Sequence, residues 1–166
     1  MTALKHKRKR LEFKNIDLIV YDFDGVMTDN RVLVFDDGQE AVWCNRADGL
    51  AISLIKKAGI PQIILSMEEN PVVEIRAHKL GIDVFYAIED KKTVLMDYCR
   101  KSNYDLKKVV YVGNDINDLE AMKLVGYAFA PQDANIQVKN IAMIVTEKKG
   151  GDGVIKEIYD QFLNLS

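Results

Sequence analysis

Cysteine is scarce: Cys44 and Cys99 are the two in 166 residues, and their spacing forms no pair. That excludes a disulfide framework and a cysteine-rich zinc site, and it fits a reducing cytoplasm, the expected location. Histidine is equally rare, with His6 in a basic run and His78 in a helical pattern, so no imidazole constellation presents itself. No apolar run approaches the ~20 residues that would span a bilayer, so no membrane contact is expected. The formal net charge is −2, which leaves no electrostatic footprint for a nucleic-acid partner. The exception is Lys5-His-Lys-Arg-Lys-Arg10, read as part of a solvated basic arm over residues 1–14; contact with an acidic partner is the alternative. The basic run leads into a strand pattern without a cleavage site, so no signal peptide is expected. Repeats, low-complexity segments and linkers are also missing. The remainder, residues 15–166, reads as a single domain with enough apolar content for a real core.

What the chain does contain is a regular alternation of strand and helix signals. Ile16 to Tyr21 is a short apolar strand with the character of one buried on both faces. Arg31–Phe35 and Ala41–Cys44 flank Asp36-Asp37-Gly38-Gln39, a hairpin signal. Helices are expected over 48–58, ended by Gly59, over 71–80, ended by Gly81, and over 90–101. Strands are expected over 62–65, 109–112 and 141–145, with a helix over 117–125 and a C-terminal helix to about Leu163. A repeating βα pattern calls for a parallel sheet with helices on both faces, a Rossmann-like three-layer α/β sandwich.

The strand ends carry the chemistry. The first delivers Asp22 and Asp24, with Gly25 turning the chain away, to the edge of the sheet where ligands of open α/β folds bind. Two carboxylates so close repel unless a cation sits between them, and a hard ion such as Mg2+ suits oxygen donors. Ser66 follows the second strand, Lys91 opens a helix, and Gly113-Asn114-Asp115-Ile-Asn117-Asp118 follows a third. Singly these are ordinary caps and turns; together, on one sheet edge, they fit phosphoryl transfer. Asp22 would be the nucleophile, Ser66 and Lys91 would hold phosphoryl oxygens, and Asp24 would protonate the leaving alcohol and then activate water.

These four motifs, in this order, resemble those of the haloacid dehalogenase superfamily, and the resemblance covers essentially the whole chain. Asp22-Phe-Asp24-Gly-Val-Met-Thr28-Asp29 is similar to a narrower group of small phosphatases without a cap domain. That group acts on 3-deoxy-manno-octulosonate 8-phosphate or on 9-phosphates of sialic-acid-type sugars, and includes C-terminal domains of some cytidylyltransferases. Arg46-Ala-Asp48-Gly49 and Gly150-Gly-Asp-Gly153 resemble further signatures of the group. The resemblance implies Mg2+ held by Asp22, Asp24, Asn114 and Asp115, with Thr28 and Asp118 in support. Most members carry aspartate where Asn114 stands; asparagine coordinates through its amide oxygen but brings no charge, so Asp115 would share the task.

It also implies a phosphorylated 2-keto-3-deoxy sugar acid as substrate, from lipopolysaccharide or sialic-acid synthesis. Glu68, Arg76, Lys79, Arg46 and Asp48 are carried to the substrate side, and Glu68, where octulosonate enzymes usually show arginine, leans the choice toward a nine-carbon acid. Alternatively Glu68, Arg76 and Lys79 are ordinary surface residues of a helix. A site without a cap is open to water, and the group covers it by forming a homotetramer. The apolar hairpin, with Val32, Val34, Phe35, Val42 and Trp43, is the expected meeting point, the alternative being that it folds back on its own core. The glycine-rich 150–153 segment is either a hinge or, by resemblance, an approach to a site, whether in its own chain or across the subunit boundary. Two other classes compete with the enzyme: a weakly active assembly domain beside a nucleotide-sugar synthetase, and a signalling receiver domain, whose phospho-accepting aspartate would follow the third strand rather than the first.

Overall fold

The computed structural model describes residues 16–162; the basic arm lies outside them. A six-stranded, all-parallel sheet runs through the molecule. Its strands are β1 (Leu18–Tyr21), β4 (Gln62–Leu65), β5 (Asp83–Phe85), β6 (Val109–Val112), β7 (Tyr127–Ala130) and β8 (Ile144–Val145), in the spatial order β5-β4-β1-β6-β7-β8. The chain fills the sheet on one side of β1 first and then crosses to the other, so the switch point lies at β1 and β6, where Val20 stands opposite both Ile63 and Tyr111. Helices α1 (Arg46–Lys57), α2 (Val72–Leu80), α3 (Lys91–Ser102), α4 (Leu119–Met122), α5 (Ile136–Ile141) and α6 (Val154–Phe162) cover the faces. This is the three-layer α/β arrangement expected from the sequence.

Strand β1 is wholly buried because it serves two cores at once. Ile19 and Tyr21 point to the side where Ile52 and Ile55 of α1, Val73 and Ala77 of α2, and Ile155 and Ile158 of α6 pack. Leu18 and Val20 point to the other, against Leu95 and Cys99 of α3, Ala121 and Met122 of α4, and Val138 of α5. The strand's period of two divides the apolar residues between layers.

Several boundaries differ from the sequence expectations. The segment read as one helix over 117–125 is a 3-10 turn, Ile116–Asp118, followed by the short α4. Strands β5 and β7 and helix α5 were not anticipated: at three to six residues they are too short to show a period. The hairpin is narrower than expected, with β2 (Leu33–Val34) paired to β3 (Glu40–Ala41) and Phe35 N–H donating to Gln39 O at 2.8 Å. It does not fold back on the core. Val32, Leu33, Val34 and Phe35 are exposed and Trp43 is 74% exposed, while Val42 and Cys44 rest against the core's margin. The hairpin stands between β1 and α1 in the chain. Among the described residues no helix is long and apolar enough to cross a membrane.

Candidate active site

Asp22 follows β1 directly and is buried. Its Oδ1 accepts the Phe23 amide at 2.7 Å and the Lys91 ammonium at 2.8 Å. Lys91 sits at the start of α3, a position the helix dipole disfavours for a cation, and what holds it there is a second carboxylate. Asp118 Oδ1 lies 2.8 Å from Nζ, and both side chains are almost fully buried. Asp118 is saturated: Tyr111 Oη donates to Oδ1 at 2.9 Å, and the Asn114 and Asp115 amides donate to Oδ2 at 2.9 and 3.2 Å. One carboxylate thus ties β6, the loop after it and the lysine into a single network. Burial would lower the Lys91 pKa, but the charges of Asp22 and Asp118 outweigh it and hold the ammonium above its ordinary value. Burial and then the Asp118 charge push Asp22 upward, with Lys91 pulling the other way. Two buried carboxylates around one ammonium leave a net negative charge, which favours a further cation.

Asp24 is half-buried, and Thr28 Oγ1 donates to its Oδ1 at 3.0 Å. Burial raises its pKa and the Thr28 bond counters that in part. Gly25 takes φ +77°, and a Cβ there would lie 1.9 Å from Asn114 Nδ2, so the turn and the Asn114 side chain fit only without a side chain at 25. Asn114 Oδ1 is buried with no hydrogen-bond partner among the described residues. Ser66 Oγ accepts the Glu68 amide at 3.1 Å, which leaves its hydroxyl hydrogen free to donate elsewhere. Asp22, Asp24, Ser66, Glu68, Asn114 and Asp115 line a common cavity of about 270 Å³.

This donor set is all oxygen: two carboxylates and an unpartnered buried amide oxygen, with a third carboxylate, Asp115, at the rim. It fits a hard divalent cation, and a buried polar atom left unpaired is otherwise costly. Asp115 is partly engaged already, its Oδ1 accepting the Ile116 amide at 2.7 Å and Asn135 Nδ2 at 3.2 Å.

The structure therefore brings Asp22, Asp24, Ser66, Lys91, Asn114, Asp115, Thr28, Asp118 and Glu68 together. It does not bring the other four expected substrate residues into the cavity of the same chain. Asp48 lies in the first turn of α1 and is buried, its Oδ1 accepting the Lys156 amide at 2.9 Å, so it fastens α6 to α1. Arg76 is half-buried and donates to Asn45 O at 3.2 Å. Lys79 is exposed on α2, and Arg46 is exposed at the start of α1. Conversely, Asn30, Arg31, Glu40 and Asn70 were not anticipated, yet they line an adjoining cavity of about 260 Å³ that shares Asp24 and Glu68. Asn30 carries a sequence signal in hindsight: it takes φ +62°, a conformation asparagine tolerates better than most residues. Tyr111 carries none, because a tyrosine inside an apolar strand reads as core.

Comparison with known proteins decides the family. Residues 52–158 match the model of the haloacid dehalogenase-like hydrolases. The chain belongs to that family. Over 92% of its length it is 31% identical to the 3-deoxy-D-manno-octulosonate 8-phosphate phosphatase of Haemophilus influenzae, covering 85% of that protein. A HAD family hydrolase from Streptomyces avermitilis superposes with a TM-score of 0.91 at 43% identity, covering 93% of this chain and 89% of that one. The Moraxella catarrhalis 3-deoxy-D-manno-octulosonate 8-phosphate phosphatase, solved with magnesium, phosphate and the sugar acid, gives 0.87 at 28% identity, with 91% and 87% covered. Within the haloacid dehalogenase-like hydrolases the chain is a phosphatase of the group without a cap domain.

Proposed function

We propose that this phosphatase uses Mg2+ to hydrolyse the terminal phosphate of a 2-keto-3-deoxy sugar acid, with Asp22 carrying the phosphoryl group between two steps. The observation that carries the reading is the convergence of Asp22, Asp24 and Ser66 on one cavity with Lys91 bridging Asp22 and Asp118 beneath it. With Oδ1 held by Lys91 and the Phe23 amide, Asp22 presents Oδ2 as the attacking atom. Lys91 and the free Ser66 hydroxyl take the oxygens of the transferring group as charge moves. Asp24, held by Thr28, gives its proton to the leaving alcohol and recovers one from the attacking water. Asp22, Asn114 and the main-chain carbonyl of Asp24 would hold Mg2+, with Asp115 beside them and the Asp24 carboxyl left for proton transfer, and the ion when bound offsets the repulsion between nucleophile and phosphate.

The adjoining cavity offers Glu40, Glu68 and Asn70 to a polyhydroxylated chain and Arg31 to a carboxylate. Octulosonate 8-phosphate is the first substrate to test, because related phosphatases are named for it. A nine-carbon homologue is the second, supported by Glu68, an acceptor at the cavity wall suited to a longer sugar's hydroxyl or amide. The exposed hairpin marks the interface of a homotetramer, in which Arg46, Arg76 and Lys79 reach a substrate from a neighbouring copy. The free cysteines suit a cytoplasmic setting.

The test is Mg2+-dependent phosphate release from both sugar acids. Release from either, abolished by chelation, supports the reading, and the preferred substrate assigns chain length. A well-assembled protein that releases phosphate from neither would overturn it in favour of an assembly domain.

A further inference from the structure

The glycine-rich segment before α6 lies against the catalytic turn of its own chain. Gly151 N–H donates to Val26 O at 3.1 Å, and the two backbones meet with no side chain between them. A Cβ on Gly150 would lie 2.3 Å from Gly25 O and 2.9 Å from Thr28 O. A Cβ on Gly151, where φ is +75°, would lie 2.6 Å from Asp29 N and 2.8 Å from Thr28 C. These are contacts with backbone, which cannot swing aside as a flexible side chain can.

The segment itself is fastened at both ends. Asp133 Oδ1 accepts the Gly150 amide at 3.0 Å. Upstream, buried Glu157 accepts the Glu147 and Lys148 amides at 2.9 and 2.8 Å. Downstream, the Lys156 amide is bound by Asp48. The turn it presses on includes Thr28, whose hydroxyl holds the Asp24 carboxylate.

We infer that Gly150 and Gly151 are positioning residues: a rigid backbone buttress that fixes the 25–29 turn and, through Thr28, sets the Asp24 carboxylate against the leaving group. The inference rests on Asp24 acting as the acid. Its mechanism is geometric, since catalytic groups lose rate steeply when displaced by about 1 Å. A buttress that acts through the acid has a signature that a general loss of stability lacks. It matters for a substrate whose alcohol must be protonated as it leaves, and matters little for p-nitrophenyl phosphate, whose phenolate departs without a proton.

The experiment measures kcat/KM for octulosonate 8-phosphate and for p-nitrophenyl phosphate in Gly151→Ala, Asp133→Ala, Asp133→Asn and Asp24→Asn, with thermal melting as a check on folding. Gly151→Ala is expected to lose roughly tenfold or more on the sugar phosphate beyond any loss on the aryl phosphate. Asp133→Ala, which introduces no clash, should show the same selective loss more weakly, and Asp133→Asn, which keeps an acceptor for the Gly150 amide, should return the two substrates to the wild-type ratio. Equal losses on both substrates, or no loss, in Gly151→Ala and Asp133→Ala would overturn the buttress while Asp24→Asn still shows selectivity. An Asp24→Asn variant without that selectivity removes Asp24 as the acid, and the buttress role falls with it. Should Gly151→Ala fail to fold, the two Asp133 variants decide.

Discussion

Asp48→Asn should make the protein more stable at neutral pH than at acid pH relative to wild type, because the native carboxyl is buried in a place that resists its charge. Desolvation raises the Asp48 pKa from 3.8 to about 6, opposed by the Lys156 and Ile155 amides and by the Arg76 charge. Its Oδ2 is buried with no partner among the described residues, which is why burial wins. The sign follows from proton linkage: the folded state holds the proton to higher pH than the unfolded state does. The contribution to stability is therefore fully present below pH ~4 and is lost as pH rises through about 6. A difference of about two pKa units corresponds to about 3 kcal/mol, roughly half of which is lost between about pH 5 and 7.5. Asparagine keeps an acceptor for the Lys156 amide and has no charge, so its own cost is a constant offset. Urea unfolding of both proteins at matched concentration across that range should show the variant gaining about 1.5 kcal/mol on wild type. Over the full range the relative midpoint shift is on the order of 6–12 °C. A difference that stays flat with pH would mean instead that Asp48 is not held protonated by burial and that Arg76 compensates its charge.

Lys91→Met should cost about 3–5 kcal/mol in urea unfolding near neutral pH, because it leaves Asp22 and Asp118 buried and unpaired; a loss under about 1 kcal/mol would contradict the bridging role. The loss should shrink in acid, where the carboxyls take up protons. Asn114→Asp adds a charge to the proposed Mg2+ site and should tighten Mg2+ binding roughly tenfold by calorimetry; unchanged affinity would remove Asn114 as a ligand. Trp43→Glu places a charge on the most exposed apolar residue of the hairpin, and sedimentation should show the proposed tetramer giving way to smaller species; an unaltered assembly would move the interface elsewhere.

Legibility differed by kind of feature. That the residues proposed for catalysis lie together could be read from sequence, because each ends a strand or opens a helix and the parallel sheet gathers those ends on one edge. Lys91 is the clearest case: a lone lysine in a first helical turn means nothing until β6 brings Asp118 to it. The network beneath it was not legible, since Tyr111 looks like any core residue of an apolar strand. The contacts of Arg76 and Asp48 within the chain were not legible either: residue type gives a charge, whereas burial directs these two to backbone partners, Asn45 O and the Lys156 amide. The glycine segment was expected to be a hinge or to approach a site, and it packs on the turn of its own chain that carries Asp24 and Thr28, a partner that residue types do not specify.

The proposed reaction turns on Asp22 carrying the phosphoryl group, and acid-quenched turnover with labelled octulosonate 8-phosphate and Mg2+ would trap that intermediate. A hydroxylamine-sensitive acyl phosphate is expected on the peptide containing Asp22, absent from Asp22→Asn together with all phosphate release. Turnover that persists in Asp22→Asn, or label on another residue, would contradict it.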